Sequence, residues 1–528
     1  MELDGRSLGR RVLETDVCVI GAGPAGLAFA QAFVGGQTDV LLLESGGVAS
    51  EPSAQELNEG RTVGDPYVGL RSTRHRQIGG SANTWHPIFY DRPGAKYTPL
   101  EPSDVEAPSD DTSGDWPLRW SELERWYEHA QAVCGLGRFD YRAPAKADGA
   151  FDLSDCALEN RVYQLGPASV FTRAWPDAVL ASSGLRLCHH ATVCSLHANR
   201  AGTVEEARVA APGGGRFTIR AQTFVLAAGA VENARLLLLS TRCERSGLRI
   251  SREWIGRCFM EHPRDYGLTV SARPGLLEHI GFYDSHIGSD GTTVRGRIAP
   301  TQEALIAERL PSASVTVVPR PRAGRAHALG LEDHGLPRFG STWSTFKRHR
   351  EAFDGLRFVL NVEQRPHSDN RVTLGERRDY FGNPAPELRW RWHAEDQGRL
   401  ERLQRFVVRE ASMAGLGRVE VVPAPIDPNA HHHSGTTRMS RDETSGVVDS
   451  TGRVHGTANL FITGASVLPR SGFANSTLTI VALTLRLATH LGARLPNLDA
   501  PPFLTYPSAN PGPGVLRRQT SHQPTEGR

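Results

Sequence analysis

The segment DVCVIGAGPAGLAFAQAFVGGQTDVLLLE, residues 16–44, decides the fold class of this chain. Its first five residues, 16–20, form a short apolar run typical of a buried strand, and residues 38–45 (TDVLLLES) predict a second strand. The small and apolar residues between them predict a tight turn followed by a helix. A strand, a helix and a second strand in this order predict the start of a doubly wound α/β sheet with parallel strands.

The turn in this segment carries a GxGxxG motif made of Gly21, Gly23 and Gly26. In such a motif the first glycine permits the tight turn, the second lets the backbone approach a pyrophosphate, and the third lets helix and strand pack closely. The helix N-terminus offers free N–H groups to the pyrophosphate. Glu44 ends the second strand, where a carboxylate accepts hydrogen bonds from the hydroxyls of an adenosine ribose. Together these features predict a bound dinucleotide.

Both NAD and FAD fit this motif, and the order of the segments favours FAD. The motif lies near the start of a 528-residue chain, and further glycine-rich segments follow far downstream. Residues 186–198 and 223–237 are typical of strands and a helix that return to the same sheet, with Ala228 and Gly229 at a small-residue turn. A plain strand–helix pair explains this second region equally well, so these residues alone leave the choice open.

The overall composition is that of an ordinary globular protein, and it excludes several classes. The chain is 39% hydrophobic and 22% charged, which excludes wholesale disorder, and its net charge of +2 argues against a nucleic-acid partner. Seven cysteines without a CxxC pair argue against a disulfide scaffold or a zinc ribbon. No apolar run reaches about 18 residues and no signal peptide is recognisable, so we expect a cytoplasmic protein with no membrane partner.

Patterns further along the chain predict a second, antiparallel sheet and four more helices. Alternating residues predict strands over 185–226 and, between Gly and Pro breaks, over 266–392. Apolar periodicity predicts helices within 116–136, 227–240, 395–415 and 476–495. For the first of these we expect Ser121 as the N-cap and Glu124 as its capping-box partner.

Two motifs in the last hundred residues carry a resemblance to a known family. The segment HHHSGTTRMS (431–440) contains the pattern HxxGTxRM beginning at His432, and VHGTANLFITGASVLPRSGFANSTLTIV (454–481) follows it. Together with the N-terminal glycine motif, they resemble the glucose-methanol-choline (GMC) flavoprotein oxidoreductases, nearest to the branch with pyranose oxidase and fructose or gluconate dehydrogenases. The resembling motifs are spread over residues 15–95, 115–136, 186–265 and 360–491.

The resemblance implies a GMC fold of the α/β class, with a doubly wound, Rossmann-like FAD-binding domain and a substrate domain on an antiparallel sheet. The FAD-binding domain of the family is discontinuous, and here it is expected to comprise residues 1–95, 180–265 and 440–499. The substrate-binding or cap domain is then expected to comprise residues 96–179 and 266–439. The segment 500–528 is rich in Pro, Ser and Gly and is expected to be a disordered tail.

The same resemblance implies an alcohol oxidation in which a hydride passes to flavin N5. The family's catalytic histidine matches His432, and its histidine or asparagine partner matches Asn475. An alcohol becomes a hydride donor as its O–H proton leaves, so a neutral imidazole takes the proton while an amide N–H holds the developing alkoxide. The alternatives are a solvated loop or a metal site at 431–433, and a helix N-cap at Asn475. Because three consecutive histidines do not share one face, we expect no metal.

Several segments are expected to contact FAD because they match family segments that do so. The loop RHRQIGGSANTWHP (74–87) resembles the loop that lies along the isoalloxazine ring. In pyranose oxidase a histidine of this loop is bonded to the flavin, and the matching position here is Thr84, so FAD is expected to be non-covalent, with His86 as the alternative attachment point. The expected FAD contacts, besides the glycine motif and Glu44, are Gly79, Gly80, Asn83, Thr84, Val193, Ala228, Gly229, Gly464, Ala465 and Thr477. The turn at 261–263 (EHP) is interpreted as structural.

The substrate is less well defined than the reaction. Residues 101–115 carry six acids and no base, which is typical of a solvated loop but also of an entrance that attracts a cation. Only three of the sixty basic residues are lysines, which favours an actinobacterial source, where enzymes of this type oxidise primary hydroxyls in aminoglycoside antibiotic biosynthesis. We therefore predict a small polar alcohol, an amino sugar ahead of a neutral sugar or glycoside, with O2 or another electron acceptor. A non-redox lyase of the same fold is the remaining alternative.

Overall fold

The computed structural model describes residues 1–493, apart from gaps at 86–87, 90–91, 107–114, 145–146, 273–274, 334–335, 338–341 and 429. The predicted tail, 500–528, therefore lies outside the described residues. Strands and helices are numbered in chain order below. Two large sheets dominate the described part of the chain, and a cavity between them is lined by residues of both.

The first sheet carries the N-terminal glycine motif. Its strands are β1 (Glu2–Asp4), β2 (Val12–Ile20), β3 (Val40–Leu43), β8 (Leu185–His189), β9 (Thr192–Ala198), β10 (Val204–Ala210), β11 (Arg216–Leu226) and β22 (Leu460–Ile462). They lie in the order β1-β8-β3-β2-β11-β10-β9, with β22 also paired to β11. β2 is parallel to both β3 and β11, and β11 is parallel to β22. The predicted doubly wound sheet is therefore confirmed.

The helices that cover the first sheet explain why its strands are so apolar. They are α1 (Pro24–Gln31), α5 (Trp175–Ala181), α6 (Gly229–Arg242) and α10 (Thr477–Gly492). With helices on its faces, a parallel strand has no side that meets water. Val17 and Val19 of β2 and Leu41 and Leu42 of β3 are accordingly fully buried. This is why the two short apolar runs of the opening segment were sufficient to predict strands.

The second sheet is antiparallel, as predicted for 266–392. Its strands are β5 (Ile88–Phe89), β6 (Arg92–Tyr97), β7 (Leu158–Pro167), β12 (Arg264–Ala272), β13 (Ser285–Ile287), β14 (Thr293–Pro300), β15 (Ala313–Pro321), β18 (Phe353–Val362) and β21 (Gly417–Val421). One face packs against helix α9 (Ala394–Met413), which contributes Leu403, Phe406 and Val407 to a shared core. The opposite face carries polar side chains such as Lys96, Tyr163 and Asn361, which line the cavity. The sheet therefore holds polar groups against the first sheet.

Smaller elements join the two sheets. A three-stranded sheet pairs β4 (Arg61–Gly64) with β20 (Pro384–Trp390), which also pairs with β19 (Arg371–Arg378). β4 lies in the expected FAD-binding domain and β20 in the expected substrate domain, so this small sheet crosses the predicted boundary. The predicted domain boundaries stay a prediction. The remaining elements are β16 (Glu332–Asp333), β17 (Leu336–Pro337), α2 (Pro52–Glu56), α3 (Pro102–Glu106), α4 (Trp120–Val133), α7 (Gln302–Ala307) and α8 (Thr342–Arg348).

The predicted cap of α4 was wrong by two residues. The helix begins at Trp120, so Ser121 lies inside its first turn, and the backbone N–H of Arg119 donates to Glu122 rather than to Glu124 (3.0 Å). The backbone N–H of Trp120 donates to Oε1 of Glu106, the last residue of α3, at 2.9 Å. A side chain from outside the helix therefore binds a free N–H group of its first turn. Over the described residues, no helix combines the length and the apolar character needed to cross a bilayer.

Candidate active site

A cavity of about 600 Å³ lies where the strand ends of the first sheet meet the polar face of the second. This volume is within the range of small-molecule and cofactor sites. The structure brings most of the sequence-predicted residues to its wall, namely Gly21, Gly23, Glu44, Gly80, Thr84, Val193, Ala228, Gly229, His432, Gly464, Ala465, Asn475 and Thr477. Three others do not line it: Gly26, Gly79 and Asn83.

The glycine motif leaves a helix N-terminus open to this cavity. A Cβ at Gly26 would lie only 1.8 Å from the carbonyl oxygen of Gly21, so Gly26 permits the close packing of α1 on the turn. No side chain caps α1 at Gly23. Beside the motif, after the neighbouring strand β11, Gly229 has a φ of 82°, and a Cβ there would meet no described atom within 4 Å. The backbone here therefore forms a bare concave surface that a Cβ would partly fill.

Glu44 is held at the end of β3 by two backbone donors. Its Oε2 accepts from the N–H of Ala22 and its Oε1 from the N–H of Gly46, both at 2.9 Å. Burial raises the pKa of this carboxyl group, while the two N–H groups favour its ionised form. An ionised carboxylate has about four acceptor positions, so each oxygen keeps one for a further donor such as a ribose hydroxyl.

The loop that was expected to lie along a flavin ring uses its amide internally. Asn83 Nδ2 donates to the carbonyl oxygens of Ile78 and Gly80, each at 2.9 Å. The N–H of Gly79 donates to the carbonyl of Ala22 (2.8 Å), which fixes the loop against the glycine motif. Thr84 lines the cavity and its hydroxyl donates to Ser81 O (3.0 Å). His86 lies outside the described residues.

His432 and Asn475 meet although they are far apart in the chain. The Nε2 atom of His432 lies 3.1 Å from Nδ2 of Asn475, which directly precedes α10. The backbone N–H of His432 donates to Oε2 of Glu261 at 2.8 Å. The hydrogen bond to Glu261 thus fixes the backbone of His432, and the amide of Asn475 faces Nε2 of its imidazole.

A second imidazole, His262, contacts the other nitrogen of His432. The two Nδ1 atoms lie 2.9 Å apart, so one ring carries the proton there and the other accepts it. Burial lowers the pKa of His262 to about 4, and it lowers the pKa of His432 well below its ordinary value. Both rings are therefore neutral at neutral pH. If His432 carries its proton on Nδ1, its Nε2 presents a lone pair to the cavity.

A buried network of Tyr67, Glu261 and His433 supports this pair. The Tyr67 hydroxyl donates to Oε1 of Glu261 (2.5 Å) and lies 3.0 Å from Nε2 of His433. Burial raises the pKa of Glu261 to about 7, although the hydrogen bond from Tyr67 opposes the shift. Three side-chain atoms that could ligate a metal ion also lie within 4.8 Å of one another here, on Glu261, His431 and His433. Tyr67 already satisfies two of these groups without an ion.

Sequence reasoning missed Tyr67 and underrated two residues of the EHP turn. Glu261 and His262 were interpreted as structural, but they hold the backbone and the ring of His432. An acid next to a histidine in a turn was a usable signal, because such pairs often position a base. Tyr67 lies in a loop with no periodic pattern, so nothing local pointed to it.

The family model for GMC oxidoreductases matches residues 366–484, the part of the chain that contains both His432 and Asn475. This region of the chain is therefore similar to the C-terminal region of GMC oxidoreductases. The chain is 30% identical to the fructose dehydrogenase large subunit of Gluconobacter japonicus, over 51% of this chain and 46% of that protein. It is 25% identical to 6'''-hydroxyparomomycin C oxidase of Streptomyces lividus, over 93% and 94% of the two chains. Pyridoxine 4-oxidase from Mesorbium loti shares the fold, with a TM-score of 0.55 and 18% identity over 90% of this chain and 99% of that one.

The match to the GMC family model and the oxidase and dehydrogenase relatives together support an FAD-dependent alcohol oxidoreductase. The cavity suits this cofactor in three ways. Its wall contains the bare glycine surface described above, the uncapped N-terminus of α1 for a pyrophosphate, and the Glu44 carboxylate for a ribose. The hydroxyl of Ser476, buried at the start of α10 on this wall, has no hydrogen-bond partner in the described part of the chain. The residues present therefore fit FAD.

Proposed function

We propose that this enzyme oxidises a hydroxyl group of a sugar-like alcohol to an aldehyde or ketone, with His432 as the proton acceptor and Asn475 as its partner. The observation that carries the proposal is the 3.1 Å contact between the neutral imidazole and the amide at the cavity wall. A substrate oxygen between these groups would meet one acceptor and one donor. That pairing suits an alcohol that becomes an alkoxide.

The cofactor would be held by the residues at the strand ends. Gly21, Gly23 and Glu44 would bind its pyrophosphate and ribose, and Gly229 and Thr477 would border the rest. FAD, when bound, supplies the hydride acceptor that this chain's own side chains lack. The prediction that it is bound without a covalent link is supported by Thr84, because a threonine hydroxyl is a poor nucleophile compared with an imidazole.

The protein's own contribution is to remove one proton at the right place. His432 takes the hydroxyl proton on Nε2, and its Nδ1 is held by His262 at 2.9 Å, so the ring cannot turn away. The amide of Asn475 donates to the same substrate oxygen. Glu261 fixes the backbone of His432 through its hydrogen bond with the backbone N–H.

Two observations bear on the finer substrate assignment, a primary hydroxyl of an amino sugar. One relative with similarity over most of both chains is named 6'''-hydroxyparomomycin C oxidase. The acidic segment 101–115 was the second, but only its ends are described, where Asp104 is buried and Glu101 contacts Arg297 at 3.3 Å. These two acids therefore do not form an entrance for a cation. A neutral sugar stays the alternative, and both O2 and other acceptors stay open.

Anaerobic mixing of the FAD-loaded enzyme with neutral and amino sugars tests the proposal. Bleaching of the flavin absorbance is expected, and a His432→Ala variant that retains FAD is expected to bleach roughly 10²- to 10⁴-fold more slowly. A suitable control is His349→Ala, because His349 is exposed and far from the cavity wall. If no alcohol bleaches the flavin, the redox assignment fails and the lyase alternative takes its place. If His432→Ala bleaches at the original rate, the assigned base is wrong.

A further inference from the structure

The wall of the cavity that faces His432 carries the ammonium group of Lys96, which forms no ion pair with a carboxylate among the described residues. Lys96, on β6, lines the cavity beside Tyr163, and its Nζ lies 4.7 Å from the centre of the Tyr163 ring. In the part of the chain that the structure describes, no carboxylate pairs with Lys96. Arg264, at the start of β12, lines the same wall, and its guanidinium forms an ion pair with Asp427 at 3.8 Å.

The other cations of the cavity wall differ in this respect. Arg74, Arg76 and Arg235 all contact the carboxylate of Glu232, and Arg235 also pairs with Asp379. Each of these arginines therefore contacts at least one carboxylate. Lys96 has no such contact among the described residues, and it lies on the wall formed by the second sheet.

A second layer of cations lies behind Lys96. Arg295 and Arg297, on β14, are both close enough to Lys96 to disfavour its charge, and so is Arg264. Arg295 Nη2 and Arg297 Nε and Nη1 are buried without a hydrogen-bond partner among the described residues. Glu101 contacts Arg297 at 3.3 Å, which leaves the layer with a positive excess.

We propose that Lys96 and Arg264 bind an anionic group, a carboxylate or a phosphate, on the alcohol that this enzyme oxidises. The inference rests on the proposed function, since it concerns the substrate of that same site. An anion bridging the two groups would supply the missing counter-charge for the wall. Lys96, Arg264 and His432 line the same cavity, so one small substrate would carry both the anionic group and the hydroxyl that loses its proton. An amino sugar would instead place a cation against this wall.

The ionisation of Lys96 agrees with this assignment. Burial and the three neighbouring arginines lower the pKa of its ammonium group to about 7. An ammonium kept in such surroundings without a partner is unfavourable, and an arriving anion relieves the repulsion. The anion and the protonated amine would therefore stabilise each other.

Binding to the FAD-loaded enzyme under anaerobic conditions tests the inference. Dissociation constants for glucose, glucosamine, glucuronate and glucose 6-phosphate are measured by calorimetry, alongside flavin bleaching. We expect tighter binding of the two anionic sugars, and the tighter of those two identifies carboxylate or phosphate as the preferred group. Lys96→Met is expected to raise their dissociation constants roughly 10- to 100-fold, the range for hydrogen bonds to charged groups, and to leave glucose within about twofold.

Two further variants sharpen the comparison. Lys96→Arg keeps the charge and is expected to retain most of the preference, whereas Lys347→Met removes a largely exposed lysine and is expected to change nothing. Equal effects of Lys96→Met on all four sugars, or tighter binding of glucosamine, would overturn the anion assignment alone. If glucose bleaches the flavin and the anionic sugars do not, the proposed function stands and this inference fails. If none of the four sugars binds or bleaches the flavin, the proposed sugar oxidation fails as well.

Discussion

Replacing Asn475 by aspartate tests the chemistry of the base with a change of almost no volume. The substitution exchanges an amide nitrogen 3.1 Å from Nε2 of His432 for a carboxylate oxygen. The donor that would hold an alkoxide disappears, and a negative charge takes its place. The neighbouring carboxylate then stabilises the protonated form of the His432 imidazole.

The size of the effect follows from the distance. Two unit charges 3.1 Å apart attract by about 5 kcal/mol at an effective dielectric constant of about 20, which corresponds to roughly 4 pKa units. Water in the cavity screens the pair, so we take about 2 units as the lower end. The shift raises the pKa of His432 and opposes the lowering caused by its burial. At a given pH the protonated fraction of the imidazole is therefore larger than in the unaltered enzyme, and a protonated ring does not accept the substrate proton.

The assay is the rate of flavin bleaching by excess alcohol in anaerobic stopped flow, at pH 7 and pH 9. Asn475→Ala is the matched variant, because it removes the same donor without adding charge. We expect Asn475→Ala to be slower than the unaltered enzyme by roughly 10- to 100-fold. Asn475→Asp is expected to be slower than Asn475→Ala at pH 7 by roughly another tenfold or more. The gap is expected to narrow from pH 7 to pH 9, because the protonated fraction of the imidazole falls as the pH rises.

The result that refutes the reasoning is simple to recognise. If both variants bind FAD with an unchanged spectrum and Asn475→Asp bleaches as fast as Asn475→Ala at pH 7, then a neutral His432 is not the proton acceptor. A variant that loses its FAD is excluded from the comparison by its flavin-to-protein ratio. A gap between the variants that does not change with pH would mean that the added charge repels the substrate directly.

Three further predictions follow from other residues. Gly26→Ala places a Cβ 1.8 Å from the carbonyl oxygen of Gly21, so we expect a protein that lacks FAD or does not fold, measured as the flavin-to-protein ratio after purification. Glu261 has a pKa raised to about 7, so its contribution to stability is present in acid and is lost as pH rises through about 7; the melting temperature of the unaltered enzyme minus that of Glu261→Gln should fall over pH 5–8, and a constant difference would contradict the raised pKa. Because the ammonium of Lys96 loses its proton near pH 7, binding of an anionic sugar should weaken from pH 6 to pH 8 in the unaltered enzyme and stay constant in Lys96→Arg, as titration at several pH values would show.

Much of the fold followed from local patterns because burial leaves a periodic trace. The apolar runs at 16–20 and 38–45 became β2 and β3, and the amphipathic stretch 395–415 became α9. These segments have one environment along their length, so composition and period are sufficient to recognise them. The cap of α4 was misjudged because the N–H of Trp120 is bound by Glu106 of the preceding helix, a contact that the helix's own sequence does not contain.

The site was predicted only where a motif recorded it. His432 and Asn475 were found through the HxxGTxRM and GFANST segments, and the structure brings them within hydrogen-bond distance. Tyr67, Glu261 and His433 form one network although they are separated by up to 366 positions, and no short pattern encodes such an arrangement. The direction of the Asn83 amide was equally hidden, since it depends on two carbonyl groups of its own loop. These contacts depend on how distant segments meet in the fold, which no local sequence pattern records.

The central strand β11 has a consequence for how the chain is made. Its end, Phe224–Leu226, pairs with β22, which is synthesised more than 200 residues later. At ordinary translation speeds this leaves on the order of tens of seconds in which the strand has an open edge and the cofactor cradle lacks Gly464 and α10. The complete FAD site therefore forms only after the whole of α10 has left the ribosome. Since a ligand that binds only the finished fold draws the folding equilibrium toward it, the supply of flavin at that moment acts as the final step of assembly.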